Sequence, residues 1–177
     1  PRPHHAEVLV CGGGTAGSLA AIASARRGAH TALLESGTFL GGTGTGSVHT
    51  YYWGMPGGLQ DEVDARTGQL SQFFMPPGKA YGFHPIAKRL ALAQMAQEAG
   101  VEMTFQTTVT ALQTTSTQPR RIQSVQALSP GGAIKYQPRV VIDSTGDGDI
   151  AALAGVPFIQ GRAADGLTHP YSLVCGR

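Results

Sequence analysis

A chain of 177 residues with 41% apolar side chains is long enough to bury a core of its own. Its formal charge of +2 comes from scattered Lys and Arg; no basic run reads as a nucleic-acid surface, and no apolar stretch approaches a membrane span. Two cysteines, Cys11 and Cys175, make neither a disulfide framework nor a metal set, and 25 glycines with 11 prolines promise many turns.

The first element is the most informative. Apolar residues 8–10 read as a buried strand running through Cys11 into Gly12, Gly14 and Gly17, which stand at G-x-G-x-x-G spacing. Gly12 permits a tight turn, Gly14 lets backbone approach a pyrophosphate, and Gly17 lets the following helix pack closely. That helix ends on Arg26, Arg27 and Gly28, and a second apolar strand over 31–34 delivers Glu35. Amides at the helix start face phosphates along a favourable dipole. A carboxylate at this distance accepts the hydroxyls of an adenosine ribose and repels a 2′-phosphate, so the pattern predicts NAD or FAD rather than NADP. Cys11, inside the turn, is expected to behave as a small apolar residue.

Residues 36–58 form a long loop rich in glycine and threonine, carrying His49, Tyr51, Tyr52 and Trp53. Loops of this length are commonly functional, and the aromatics argue against disorder. A helix is expected over 59–70. His84 and Pro85 open a clearer one over 86–99, stopped by Gly100. Residues 101–105 read as a buried strand. Segments 107–112, 122–128 and 133–136 alternate as an antiparallel meander. An apolar strand over 140–143 runs into Ser144-Thr145-Gly146-Asp147-Gly148-Asp149, with Asp149 a candidate cap for a short helix over 150–154. His30 stands at a strand start, and His4 and His5 read as a mobile tail. The meander interrupts the plain β-α alternation of an NAD-binding domain.

This order, with Val10 to Gly17, Leu34-Glu35-Ser36, Leu40-Gly41-Gly42-Thr43 and the segment from Val141 to Asp149, resembles the FAD-dependent oxidoreductases of glutathione-reductase-like fold. Ser144 stands where that family usually has Ala. The resemblance implies an α/β fold: a Rossmann-like FAD-binding domain with a parallel sheet and a crossover antiparallel β-meander, forming the N-terminal part of a larger flavoenzyme. It implies FAD as cofactor. The pyrophosphate would lie on Gly12, Gly14, Thr15, Ala16 and Gly17, and the ribose at Glu35 with Ser36 beside it. Gly42 and Thr43 would line the pyrophosphate and ribityl chain, Val109 the adenine, and Gly146 and Asp147 the phosphates. No metal site is expected.

The implied activity is hydride transfer between FAD and a small organic substrate. An NAD-dependent dehydrogenase would explain Glu35 but not the meander. A non-catalytic FAD-holding subunit of a larger complex is the third reading. His49 is the candidate catalytic residue, in the loop that should pass under the flavin; the alternative is a loop histidine bonded to its neighbours. Other flavoproteins of this fold attach FAD covalently through a histidine, at a shorter spacing after the second strand than here. Residues 1–160 are expected to form the FAD domain, with 36–80 touching flavin or a substrate domain, and 161–177 to begin that domain or a linker. The chain starts at Pro1 and stops in an apolar run. It is therefore expected to be a fragment or a subunit completed by a second polypeptide. The partners expected are that polypeptide and a small-molecule substrate, with neither nucleic acid nor membrane. The expected location is the cytoplasm, with earlier removal of an export signal left open.

Overall fold

A computed structural model describes residues 4–46, 57–74, 83–117 and 119–168. Three runs of apolar residues, β1 (Val8–Cys11), β2 (Thr31–Leu34) and β7 (Val140–Asp143), pair in parallel, and β3 (Glu102–Thr104) joins β2. The order in this sheet is β3-β2-β1-β7. Register is in step across its centre: Cys11 stands opposite Leu34 on one side and Asp143 on the other. Parallel strands covered on both faces must be apolar almost throughout, and β1 and β2 are.

Alternation along the strands divides the core in two. Val10 and Leu33 point to one face, where α1 (Thr15–Arg26), α3 (Leu59–Ser71) and α4 (Pro85–Glu98) contribute Ala21, Ile22, Val63, Leu92 and Met95. Leu9, Cys11, Ala32 and Leu34 point to the other, covered by an antiparallel sheet of β4 (Thr108–Thr114), β5 (Ile122–Ser129) and β6 (Gly132–Tyr136). Val125, Ala127 and Tyr136 meet them there. The buried Val, Leu, Ile and Met side chains among them each contribute on the order of 1.5–3 kcal/mol, the alanines less. The helices are further joined by ion pairs, Arg26 to Glu62 at 2.6 Å and Arg66 to Glu98 at 2.7 Å.

Element order follows the sequence, with four differences. The strand near residue 101 is not buried: β3 is an edge with Glu102 exposed, because no described strand lies beyond it. The long loop contains one helical turn, α2 (Thr43–Gly46). His4 is not a loose tail. Its N–H donates to the Lys135 carbonyl at 2.8 Å, and its ring lies 5.3 Å from that of Tyr136. Lastly, Gly148, in a left-handed conformation, occupies the cap position of α5 (Asp149–Leu153), which displaces Asp149 into the helix. His84 does cap α4, its Nδ1 accepting from the Ile86 N–H at 3.3 Å, with Pro85 in the first turn. Cys175 and the stretch from His49 to Trp53 lie outside the described residues.

Candidate functional site

Three strand ends stop level with one another, so the turns that follow them enclose a common space. This is where ligands sit in open α/β sheets. β1 ends in Gly12, whose N–H donates to the Leu34 carbonyl at 2.8 Å. β7 ends in Ser144, whose N–H donates to the Cys11 carbonyl at 2.8 Å. β2 ends in Glu35. The result is a cleft of about 670 Å³ with the first turn of α1 on its floor.

The glycines of the first turn have separate reasons to be glycine. Gly12 has φ +97°, and a Cβ there would stand 2.2 Å from the Ser144 carbonyl oxygen. At Gly17 a Cβ would stand 1.8 Å from the Gly12 carbonyl oxygen, so the helix could not approach the turn. Gly14 differs from both: its φ of −66° suits any residue, and nothing lies within 4 Å of a Cβ placed there. The fold does not require glycine at 14. A ligand lying against the backbone would.

Glu35 holds the turn from the side. Its Oε2 accepts from the Gly13 N–H at 2.6 Å and its Oε1 from the Gly37 N–H at 2.5 Å. The opposite wall is the Gly41–Gly42 bend. Gly41 N–H donates to the Gly13 carbonyl at 2.8 Å, and a Cβ on Gly42 would lie 3.0 Å from the Gly14 Cα. Beyond Glu35 the chain passes from β3 to β4 through Gln106, at φ +51°, which leads Thr107, Thr108 and Val109 to the rim. Thr107 N–H donates to the Glu35 carbonyl at 2.9 Å.

The turn after β7 is organised by Asp143. Its Oδ1 accepts from the N–H and hydroxyl of Thr145 at 3.1 and 2.8 Å, and its Oδ2 from the Ala151 N–H at 2.9 Å. Thr145 Oγ1 in turn accepts from the Asp149 N–H at 2.9 Å. Desolvation acts to raise the Asp143 carboxyl, but the hydrogen bonds from Ala151, Thr145 and Ile150 outweigh it and hold it below its ordinary value. These amides of α5 are therefore engaged by side chains of the protein. The start of α1 has no side-chain cap and no acid in its first turn, so its dipole is the one left facing the cleft. Cys11 also lines the cleft. Burial, with the Asp143 charge nearby, pushes its thiol up to about 12, so it stays protonated and inert, as its position in the turn suggests.

Gly12, Gly14, Thr15, Ala16, Glu35, Ser36, Gly42, Thr43, Val109 and Gly146 all line this one cleft. Gly17 sits beneath it, against the turn. Asp147 does not line this cleft but a neighbouring hollow, with Asp149, Phe158 and Arg162. Catalytic candidate His49 lies outside the described residues. Sequence reasoning did not single out Leu34, Thr107, Thr108, Asp143 or Thr145 for the site, though all five line the cleft. The available signal was the acid ending an apolar strand two residues before a threonine, the pattern of a side-chain-bonded turn. Among the described residues no cluster of His, Cys, Asp or Glu could hold a metal, and no helix is long and apolar enough to cross a membrane.

A parallel sheet with a glycine turn at its switch point, an acid at the second strand end and a meander on the opposite face defines a dinucleotide-binding flavoprotein fold. The chain belongs to the family of FAD dependent oxidoreductases, whose match spans residues 7–175, and FAD is its cofactor. Among curated protein sequences none matches it significantly. Solved structures share the fold. THI4 of Thermovibrio ammonificans is 15% identical, with a TM-score of 0.61 over 89% of this chain and 67% of that one. A flavoprotein/dehydrogenase of Cytophaga hutchinsonii is 18% identical, with a TM-score of 0.62 over 90% of this chain and 44% of the other. L-proline dehydrogenase of P. horikoshii is 18% identical, with a TM-score of 0.59 over 87% and 57%. The chain therefore spans between under half and two thirds of the length of these proteins.

Proposed function

We propose that the chain holds FAD in the cleft at the strand ends and serves a flavin-dependent oxidoreductase that moves a hydride between FAD and a small organic substrate. The observation that carries the cofactor part is Gly14. It is a glycine without a conformational or packing need, at an uncapped helix start, facing a cleft of ligand size. Backbone approach and the dipole of α1 favour a pyrophosphate there. Glu35, already oriented by Gly13 and Gly37, has lone pairs left for ribose hydroxyls. Thr107, Thr108 and Val109 then border the adenine end, and Gly42 and Thr43 the ribityl end.

FAD, when bound, supplies the hydride-accepting and hydride-donating chemistry. The residues described here bind and orient it. The substrate cap is proposed to come from a second polypeptide or further chain. His49 is proposed to meet flavin or substrate. We expect His49→Ala to lower turnover with flavin content unchanged, and acid precipitation to release the flavin. Flavin retained in the acid pellet would instead mean covalent attachment.

The whole reading is tested on the complete protein by its absorption spectrum and by thermal shift with FAD and with NAD. A flavin spectrum and stabilisation by FAD alone are expected. Stabilisation by NAD and not FAD would overturn the cofactor assignment at this cleft.

A further inference from the structure

Arg89 is an inward-reaching cation on α4, remote in sequence from every cofactor motif. Its Nε and Nη2 both donate to the Thr45 carbonyl, at 3.0 and 2.7 Å. Its guanidinium carbon lies 3.6 Å from the centre of the Phe39 ring. Phe39 and Thr45 bracket the bend that carries Gly42 and Thr43. That bend has little to hold it by itself: α2 is a single turn, and one turn is unstable in isolation. The last carbonyls of any helix also lack intrahelical donors, and Arg89 supplies two to one of them.

Contacts continue from there to the cleft. Thr45 Oγ1 donates to the Leu40 carbonyl at 2.7 Å, and Gly41 packs so closely on Thr45 that a Cβ would stand 2.4 Å from its Cγ2. Gly41 bonds to Gly13, Thr15 Oγ1 donates to the Gly41 carbonyl at 3.3 Å, and Gly42 abuts Gly14. One fork of donors on α4 thus bears on the wall opposite Glu35.

We propose that Arg89 is a positioning residue for the cofactor: by clamping Thr45 against Phe39 it fixes the Gly42–Thr43 wall at the pyrophosphate end of the cleft, without touching the cofactor itself. This rests on the FAD reading above. Lysine cannot replace it fully, because an ammonium is neither planar nor able to present two parallel donors while stacking on a ring.

The clamp is tested first without cofactor, by hydrogen exchange on the full-chain apoprotein. The amides of Thr45 and Gly46 donate to the Gly42 carbonyl, and in Arg89→Ala they should exchange faster while those of Ile22 and Leu33 stay protected. Titration with FAD and with AMP follows. Losing a charged hydrogen-bond pair should raise the FAD dissociation constant roughly ten- to a hundredfold. AMP, which is held at the Glu35 end, should shift by less than about twofold, and Arg89→Lys should fall between. Unchanged exchange at Thr45 and Gly46, or FAD and AMP weakening in parallel, would overturn the proposal. Should Arg89→Ala fail to fold, Arg89→Lys decides by the same two readouts. If the unsubstituted protein binds no FAD, the functional reading fails, and the exchange result alone then decides whether Arg89 clamps the bend.

Discussion

Gly14 caps α1 and Gly17 lies in its first turn, yet replacing them should have opposite consequences for stability. Serine is a slightly better helix cap than glycine, so Gly14→Ser should leave the apoprotein as stable as before or raise it by roughly a few tenths of a kcal/mol. The same hydroxymethyl group stands where a pyrophosphate would lie, and FAD affinity should fall at least about tenfold. Gly17→Ala instead forces a methyl onto the Gly12 carbonyl, and should cost roughly 1–3 kcal/mol or more of stability before any ligand is added. Denaturant titration of both apoproteins, followed by FAD titration, separates the two. Equal loss of stability in both would remove the argument from Gly14. Glu35 is a mixed case. In Glu35→Gln one amide oxygen replaces two carboxylate oxygens that accept from Gly13 and Gly37, so an NH2 must face one of those donors. Apoprotein stability should drop by about 1–3 kcal/mol together with FAD affinity. A loss confined to affinity would show that the carboxylate serves the ribose alone.

At the scale of elements, α5 depends on an acid that precedes it by several residues. With Gly148 at its cap position, α5 has no cap side chain of its own. The Asp143 carboxylate takes that role for Ala151 and, through the Thr145 hydroxyl, for Asp149. Because the folded Asp143 carboxyl lies below its ordinary value of 3.8, its contribution is complete above that pH and is lost as pH falls through the lower folded value. Asp143→Asn should therefore unfold at lower temperature than the unsubstituted chain near pH 6, with the gap closing as pH falls below 3.8 and through the lower folded value. Thermal melts across that range check this, and a gap independent of pH would refute it. In α3, Thr67 faces the core with a buried hydroxyl that has no hydrogen-bond partner among the described residues. Thr67→Val keeps the shape and removes the orphan, so it should be neutral or stabilising by about 1 kcal/mol in a chemical melt.

Over the whole molecule, the two edges of the parallel sheet differ. β3 ends it with Glu102 outward and paired to His30 at 3.2 Å, a charged edge that discourages further pairing. Among the described residues β7 is the other edge, with Val140 half exposed, and Leu153, Val156, Phe158 and Ile159 in the segment that follows it in the chain are exposed as well. An apolar rim of this kind is suited to being covered, which supports the proposed second polypeptide or further chain. Residues 1–177 alone should self-associate or bind FAD poorly, and adding the covering segment should give a monodisperse, flavin-loaded complex. Light scattering decides, and a well-behaved, flavin-loaded monomer of 1–177 would overturn this proposal.

Much of this was readable without coordinates where a local rule and a global one agree. The glycine spacing, the apolar strands that must be covered on both faces, Glu35 at a strand end and the His84-Pro85 helix entry all follow from short-range chemistry. So does the meander, whose alternation shows one face covered and one wet. Position in the sheet is different, because an apolar run reads alike at an edge and at the centre. Residues 101–105 looked buried for that reason, and only the absence of a described neighbour beyond β3 exposes Glu102. His4 looked free because its partners, Lys135 and Tyr136, are more than a hundred residues away. Asp149 had the chemistry of a cap, yet Asp143 reached the same amides from the end of a strand. The sequence by itself determined the strands, the turn and the kind of ligand, through local geometry and charge. Which acid caps which helix, which strand faces solvent, and which arginine steadies the cofactor wall were decided by tertiary structure, because each depends on groups that meet only when the chain is folded.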